Sequence, residues 1–362
     1  MPASTTLLQR LLAAAAALSL VAAVGANASI VRAITVPTIT VIDINPEGGS
    51  YALDDDDKDG VAVNGMLLFR ANDGIHGRDL YKSDGTVDGT VLVKDINPTG
   101  DSSPVNMVAM GTTAYFRAND GTNGFELWKS DGTEAGTVMV KDINTSGDSN
   151  PRYLVVVGST LYFRADDGTN GKELWKSDGT EAGTVMVKDI NTTGESYPSE
   201  LTVLGSTLYF KADDGTNDNE LWKSDGTEAG TVMVKDINPT GSANVGALTR
   251  HGGLLYFQGY DGVNGDEMYL SDGTEEGTMR IPGPNGSNYV DCDCYENPVR
   301  ATSNGVFFTY DDDTVGNELG FIADRLPETN TSGNALALAL LALSGALAAG
   351  AVIARRKELR AN

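Results

Sequence analysis

Residues 126–144, 173–191 and 220–238 are one segment written three times: ELWKSDGTEAGTVMVKDIN. Each copy starts 47 residues after the last. The period runs beyond these copies in both directions. Ser-Asp-Gly-Thr begins at Ser83, Ser130, Ser177, Ser224 and Ser271. Asp-Gly pairs stand at Asp73, Asp120, Asp167, Asp214 and Asp261, and Lys94, Lys141, Lys188 and Lys235 each open Lys-Asp-Ile-Asn. A fixed period of roughly 40–50 residues marks a propeller, solenoid or array, in which one small unit recurs.

Each unit carries four strand signals. In the third they are residues 153–157, 161–166, 173–177 and 184–190, rich in Val, Leu, Tyr, Phe and Trp and bounded by Gly, Asp, Asn and Ser. Short turns separate them at 158–160, 167–171 and 177–180. Glycine supplies the positive φ such turns need, and Asp caps its own backbone. Four antiparallel strands in this length make a propeller blade.

Composition agrees. The chain has 362 residues, of which 43 are Gly, above the usual ~7%. An apolar fraction of 40% suffices for a core. The balance of 26 Lys+Arg against 50 Asp+Glu gives a net charge of −24, which repels phosphate backbones and argues against nucleic-acid binding. Two cysteines cannot build a disulfide-dense scaffold or a four-cysteine zinc site.

The ends of the repeat array predict a closed ring. A sixth, degenerate unit holds Val306-Phe307-Phe308-Thr309-Tyr310 and Gly316-Asn317-Glu318-Leu319, then stops without its last strand. The missing strand stands at the other end, Thr38-Ile39-Thr40-Val41-Ile42-Asp43-Ile44-Asn45. If it pairs into the last blade, no edge is left open. With inserts near 54–58 and 292, six units of 47 fill residues 34–325. The expected architecture is all-β: a six-bladed β-propeller closed by its N-terminal strand. A linear β-solenoid is the rival, but it gives no reason for a missing strand to appear at the opposite terminus.

Two series of side chains recur in phase. Arg70, Arg117, Arg164, Lys211, Gln258 and Thr309 share one position, and nine residues later stand Asp79, Glu126, Glu173, Glu220, Glu267 and Glu318. Facing each other across a hairpin, the first four would form ion pairs; the alternative is an arginine cluster gripping an anion. The aromatic series Tyr81, Trp128, Trp175, Trp222 and Tyr269 reads as blade-to-blade core rather than a sugar platform.

Glu-Leu-Trp-x-x-Asp-Gly-Thr, at residues 126–133, 173–180 and 220–227, resembles the bacterial ELWxxDGT repeat family. Degenerate forms stand at Asp79-Leu80-Tyr81 and Glu267-Met268-Tyr269, so the resemblance covers residues 61–281. It implies a secreted or surface protein and no defined activity. Ser-Asp-Gly-Thr lacks the spacing of a sialidase Asp box.

Both termini read as addresses. Residues 1–28 have the form of a signal peptide: Arg10, an apolar run from Leu11 to Val24, and Ala26-Asn27-Ala28 as cleavage site. At the other end, 326–334 hold a motif and polar spacer. Residues 335–354 are 20 uncharged residues, about 30 Å as a helix and enough for one transmembrane span. The basic tail 355–362, with Arg355, Arg356, Lys357 and Arg360, places the C-terminus in the cytoplasm. Leu326-Pro327-Glu328-Thr329-Asn330 resembles a cell-wall sorting signal, which implies a sortase-type transpeptidase as partner and cleavage after Thr329. Asn330 departs from the usual Gly, and a plain transmembrane tail is the alternative. Either way the expected address is the extracellular face, anchored to wall or membrane.

Candidate chemistry is sparse. Asp55, Asp57 and Asp59 alternate before Gly60, a spacing suited to Ca²⁺, the one candidate cofactor. The acid that would complete such a loop is missing: Met66 and Val63 occupy the two positions where it would stand. The repeated Asp-Gly-Thr-Asn-Gly loops are weaker Ca²⁺ candidates that turn chemistry explains. Cys292-Asp293-Cys294 leaves a strained disulfide, two thiols or a weak metal site open. His76 and His251 stand without the partners that a triad or metal site needs. The expected function is therefore non-enzymatic: an anchored propeller binding an envelope glycan or surface protein. A carbohydrate-active enzyme and a rigid spacer are the alternatives.

Overall fold

The computed structural model describes residues 39–53, 59–282, 299–310 and 318–323. The signal peptide, Asp55 and Asp57, Cys292 and Cys294, the sorting motif 326–334, the expected helix 335–354 and the basic tail lie outside them. Among the described residues every regular element is a strand.

The strands form six antiparallel sheets in chain order, five with four strands and the last with three. Each is a meander, as in a propeller blade. The third comprises Arg152–Val157, Thr160–Asp166, Lys172–Ser177 and Val185–Lys188, close to the predicted strands. The first strands of successive sheets, from Gly60–Val63 through Val105–Met110, Arg152–Val157 and Ser199–Leu204 to Gly246–His251, neighbour one another and form the inner layer.

The core lies between sheets, not within them. Phe163, Ala165 and Trp175 of the third blade pack on Tyr115, Leu127, Val140 and Ile143 of the second. One period later Phe210, Ala212 and Trp222 pack on Tyr162, Leu174, Val187 and Ile190. The aromatic series is thus blade-to-blade core, as expected. Alternation explains why: within Glu-Leu-Trp-Lys, Trp128 faces the preceding blade while Leu127 faces the following one.

Polar contacts fasten the same interfaces. The lysine after Tyr81, Trp128, Trp175 and Trp222 donates to a turn carbonyl of the next blade: Lys82 to Gly132 O, Lys129 to Gly179 O, Lys176 to Gly226 O and Lys223 to Gly273 O, at 2.9, 2.8, 2.7 and 2.8 Å. The lysine of Lys-Asp-Ile-Asn does likewise: Lys94 reaches Thr137 O and Lys141 reaches Thr184 O, both at 2.8 Å. The receiving Ser-Asp-Gly-Thr turn is rigid. Asp178 Oδ1 accepts from Thr180 N at 2.9 Å and Thr180 Oγ1 at 2.7 Å, and Ser177 Oγ accepts from Gly179 N at 3.0 Å. Gly179 has φ +89°, and a Cβ there would collide with Tyr115 Oη of the preceding blade, so this position admits only glycine.

One expectation needs correction. The cross-strand ladder does not form. Arg117 pairs with Leu127 and Ala118 with Glu126, and the same register holds in the first, third and fourth blades. The five residues 120–124 close the hairpin, one more than facing Arg117 and Glu126 would need. That single step puts bases and acids on opposite faces of the sheet. The closing strand is not among the strand pairings of the described residues: residues 39–45 belong to no sheet, and Ile39 and Val41 are 93% and 83% exposed. The end of that segment nevertheless keeps its repeat position. Ile44 packs beside Phe69 and Tyr81, and Asn45 Oδ1 accepts from Glu47 N at 3.2 Å, as Asn97 Oδ1 does from Thr99 N.

The lysine bonds predict a measurable interface energy. A hydrogen bond to a charged group contributes about 1.5–3 kcal/mol. Lys129→Met keeps the apolar stem and removes the donor to Gly179 O, so the denaturant midpoint should fall accordingly. An unchanged midpoint would show that the bond adds nothing.

Candidate ligand-binding rim

The residues most suggestive of catalysis are structural. Glu126, Glu173 and Glu220 are fully buried, the position where a general acid would attract notice. Each carboxylate instead ties its own blade to the outgoing linker. Glu126 Oε2 accepts from Ile143 N at 2.8 Å and Ser149 Oγ at 2.6 Å, and Oε1 from Ser149 N at 2.9 Å. Glu173 repeats this with Ile190 and Ser196, and Asp79 takes Ile96 N and Ser102 Oγ in the first blade. Burial pushes these acids up, against the pull of their donors: Glu126, Glu173 and Glu220 to about 7 and Asp79 to about 6.

The Asp-Gly loops are also closed on themselves. Asp167 Oδ1 accepts from Thr169 N at 2.9 Å and Asn170 N at 2.7 Å, and Oδ2 from Asn170 Nδ2 at 2.8 Å. Partial burial opposes its charge, but these donors outweigh it and hold the carboxyl below its usual range. The turn reading of these loops therefore stands. Asp59, of the alternating acidic run, is buried and bonded to Arg70 Nη2 at 2.7 Å. Among the described residues no group of three His, Cys, Asp or Glu side chains is arranged to hold a metal. His76 sits in the Asp73 turn, Nδ1 2.7 Å from Asp73 Oδ2, and His251 lies against Tyr256.

What remains is a set of positions at which the second, third and fourth blades each carry a different kind of side chain. Across the second, third and fourth blades these are Ser103, Asn150 and Tyr197; Val105, Arg152 and Ser199; Asn106, Tyr153 and Glu200; Phe125, Lys172 and Asn219. All lie where a linker enters its first strand or where the third strand begins, and backbone bonds join the two places. Asn150 N donates to Phe125 O at 3.0 Å and Tyr197 N to Lys172 O at 3.1 Å. The backbone is unusual there. Ser103, Asn150, Tyr197 and Asn244 have φ of 46–49°, and Asn106, Tyr153, Glu200 and Ala247 have φ of 52–59°. Left-handed non-glycine residues cost about 1 kcal/mol or more each and gather at functional sites. Here they produce the register shift between Tyr162 and Arg164 that turns Tyr153 outward.

Cations and rings meet on this rim. The Arg117 guanidinium lies 4.5 Å from the Phe125 centroid and donates to Asn150 Oδ1 at 3.1 Å. Arg164 lies 4.8 Å from the Tyr153 ring, Lys172 5.0 Å from Tyr197 and Arg78 5.2 Å from Tyr51. Sequence reasoning named Arg117 and Arg164 but not Arg152, Lys172, Tyr153 or Tyr197. The available signal was their departure from the repeat.

Comparisons with known proteins add the following. No family model matches the chain, and no curated protein does. Solved structures similar to it include a puromycin hydrolase at 13% identity and TM-score 0.42, covering 75% of this chain and 44% of that one. Prolyl oligopeptidase B from Galerina marginata follows at 13% and 0.45, covering 73% and 42%. Oligopeptidase B from Leishmania major gives 10% and 0.41, covering 76% and 41%. The chain spans less than half the length of each.

The buried acids predict a pH dependence. Their folded pKa values lie above the unfolded ones near 4, so between these values the folded state binds more protons and stability falls as pH rises. The melting temperature should therefore be higher at pH 5.5 than at pH 7.5. Glu126→Gln, Glu173→Gln and Glu220→Gln together should flatten the difference, whereas a melt that rises with pH would contradict the assignment.

Proposed function

We propose that this protein is a non-enzymatic, surface-anchored β-propeller of the ELWxxDGT type that binds an envelope glycan or surface protein through its rim. One observation carries the reading. The repeated motif is absorbed by the fold, with Glu on the linker, Leu and Trp in the core, Lys on the next blade and Ser-Asp-Gly-Thr in the turn, while positions whose side chain changes kind in all three of the second, third and fourth blades gather at one rim. A rigid spacer would have no use for a rim whose side chains change from blade to blade. The signal-like N-terminus and the motif at Leu326, Pro327, Glu328, Thr329 and Asn330 support export and attachment by a sortase-type transpeptidase. The apolar segment 335–354 supports a membrane helix before cleavage. The kept position of Ile44 and Asn45 supports closure of the sixth blade by residues 38–45.

Immobilised full-length protein is expected to retain polysaccharide from the producing cell's envelope and to release it with unchanged chain length. Depolymerisation abolished by one carboxylate substitution would overturn the non-enzymatic reading, and absence of retention would overturn glycan binding. In cells, Thr329→Ala should move the protein from the wall fraction to the membrane fraction.

A further inference from the structure

The third blade's part of the rim differs from its neighbours in charge. Where the second blade has Val105 and Phe125 and the fourth has Ser199 and Asn219, the third has Arg152 and Lys172. Arg152 stands directly across the strands from Arg164. Like charges at such a position are destabilising. Neither arginine is in an ion pair among the described residues. The carboxylate nearby is Glu195, and both its oxygens lie 3.0 Å from Lys172 Nζ. Arg152, Arg164 and Lys172 thus gather in a chain of net charge −24. A local cationic patch focuses anions even on an acidic protein.

The neighbouring rings narrow the ligand class. Tyr153 and Tyr197 carry Arg164 and Lys172 over their rings and are still 43% and 47% exposed. A half-exposed Tyr offers an apolar ring with a polar edge, suited to the C–H face of a sugar. The arginine fork matches a planar carboxylate with two parallel hydrogen bonds. A phosphopeptide or acidic peptide would use the cations but has no sugar face to lay on the rings.

We propose that Arg152, Arg164, Lys172, Tyr153 and Tyr197 form a binding site for a uronate-bearing saccharide, its carboxylate on the two arginines and its ring on Tyr153. The proposal deepens the glycan-binding reading above and rests on it. The repeats supply their own test variants. Arg152→Ser and Lys172→Asn install what the fourth blade carries at the same positions, and Tyr153→Asn what the second carries, so each substitution fits a fold that already holds it elsewhere.

The probes are a galacturonate octamer, a neutral maltose-series octamer and a poly-glutamate peptide, titrated into detergent-solubilised full-length protein. The galacturonate octamer should bind, with affinity falling as salt rises, and the neutral octamer should not. Arg152→Ser and Tyr153→Asn, made singly, should each weaken binding by tenfold or more while the denaturant midpoint does not fall. Equal binding of poly-glutamate would overturn the saccharide assignment. No galacturonate binding, or binding indifferent to both substitutions, would overturn the site. If envelope polysaccharide is still retained in that last case, the broader binding reading survives and only this site fails.

Discussion

The bond from a lysine ammonium to a turn carbonyl of the next blade is the constraint on which the rest of the structure depends. Lys129 can reach Gly179 O only if Ser-Asp-Gly-Thr is folded into its compact turn, so the turn and the interface form together. It also requires Trp128 and Lys129 to point to opposite sides of their strand, which sets the register that buries Trp on the preceding blade. Repeated at 47-residue steps, the bond fixes each of the first four sheets relative to the next. A half-buried carbonyl facing an ammonium is a strong pairing because the donor is charged. The buried glutamates perform the complementary task at the other end of each blade, ordering the linker that leads to the next first strand.

This division of labour explains why the repeats can be so alike. Core, turn and linker each take fixed residues from one motif, and substituting any of them disturbs an interface that recurs around the array. Positions at the start of the first and third strands lie outside the repeated motif. Their backbone is held by the bonds of Asn150 N and Tyr197 N to the preceding blade, so side chains there can change without cost to the scaffold. The strained φ values are tolerated for the same reason: the surroundings over-determine them.

Much of this was legible in the residues. The period, the four strands and the burial of Trp128, Trp175 and Trp222 follow from spacing and residue type. The ladder from Arg117 to Glu126 was misread because strand pattern alone does not say whether the turn after Asn119 holds four residues or five. The Asx turn of Asp120 with Thr122 and Asn123 selects five, and every side chain beyond it changes face. Closure by residues 38–45 was inferred from the missing strand. The structure keeps the anchor at Ile44 and Asn45 without the pairing. The rim was not legible because the pairing of Arg152 with Arg164 depends on the register shift between Tyr162 and Arg164, which strand pattern alone does not announce.

The central claim is that stability and binding reside in separate residue sets of the same repeat. The most direct measurement substitutes every position of residues 103–245 in the full-length protein and reads each variant twice, for denaturant midpoint and for retention of envelope polysaccharide. The account predicts two nearly disjoint sets: motif positions such as Glu126, Lys129 and Gly179 lowering the midpoint, and rim positions such as Arg152, Tyr153 and Lys172 lowering retention alone. Retention that tracks the midpoint at every position, with no rim variant standing apart, would contradict it.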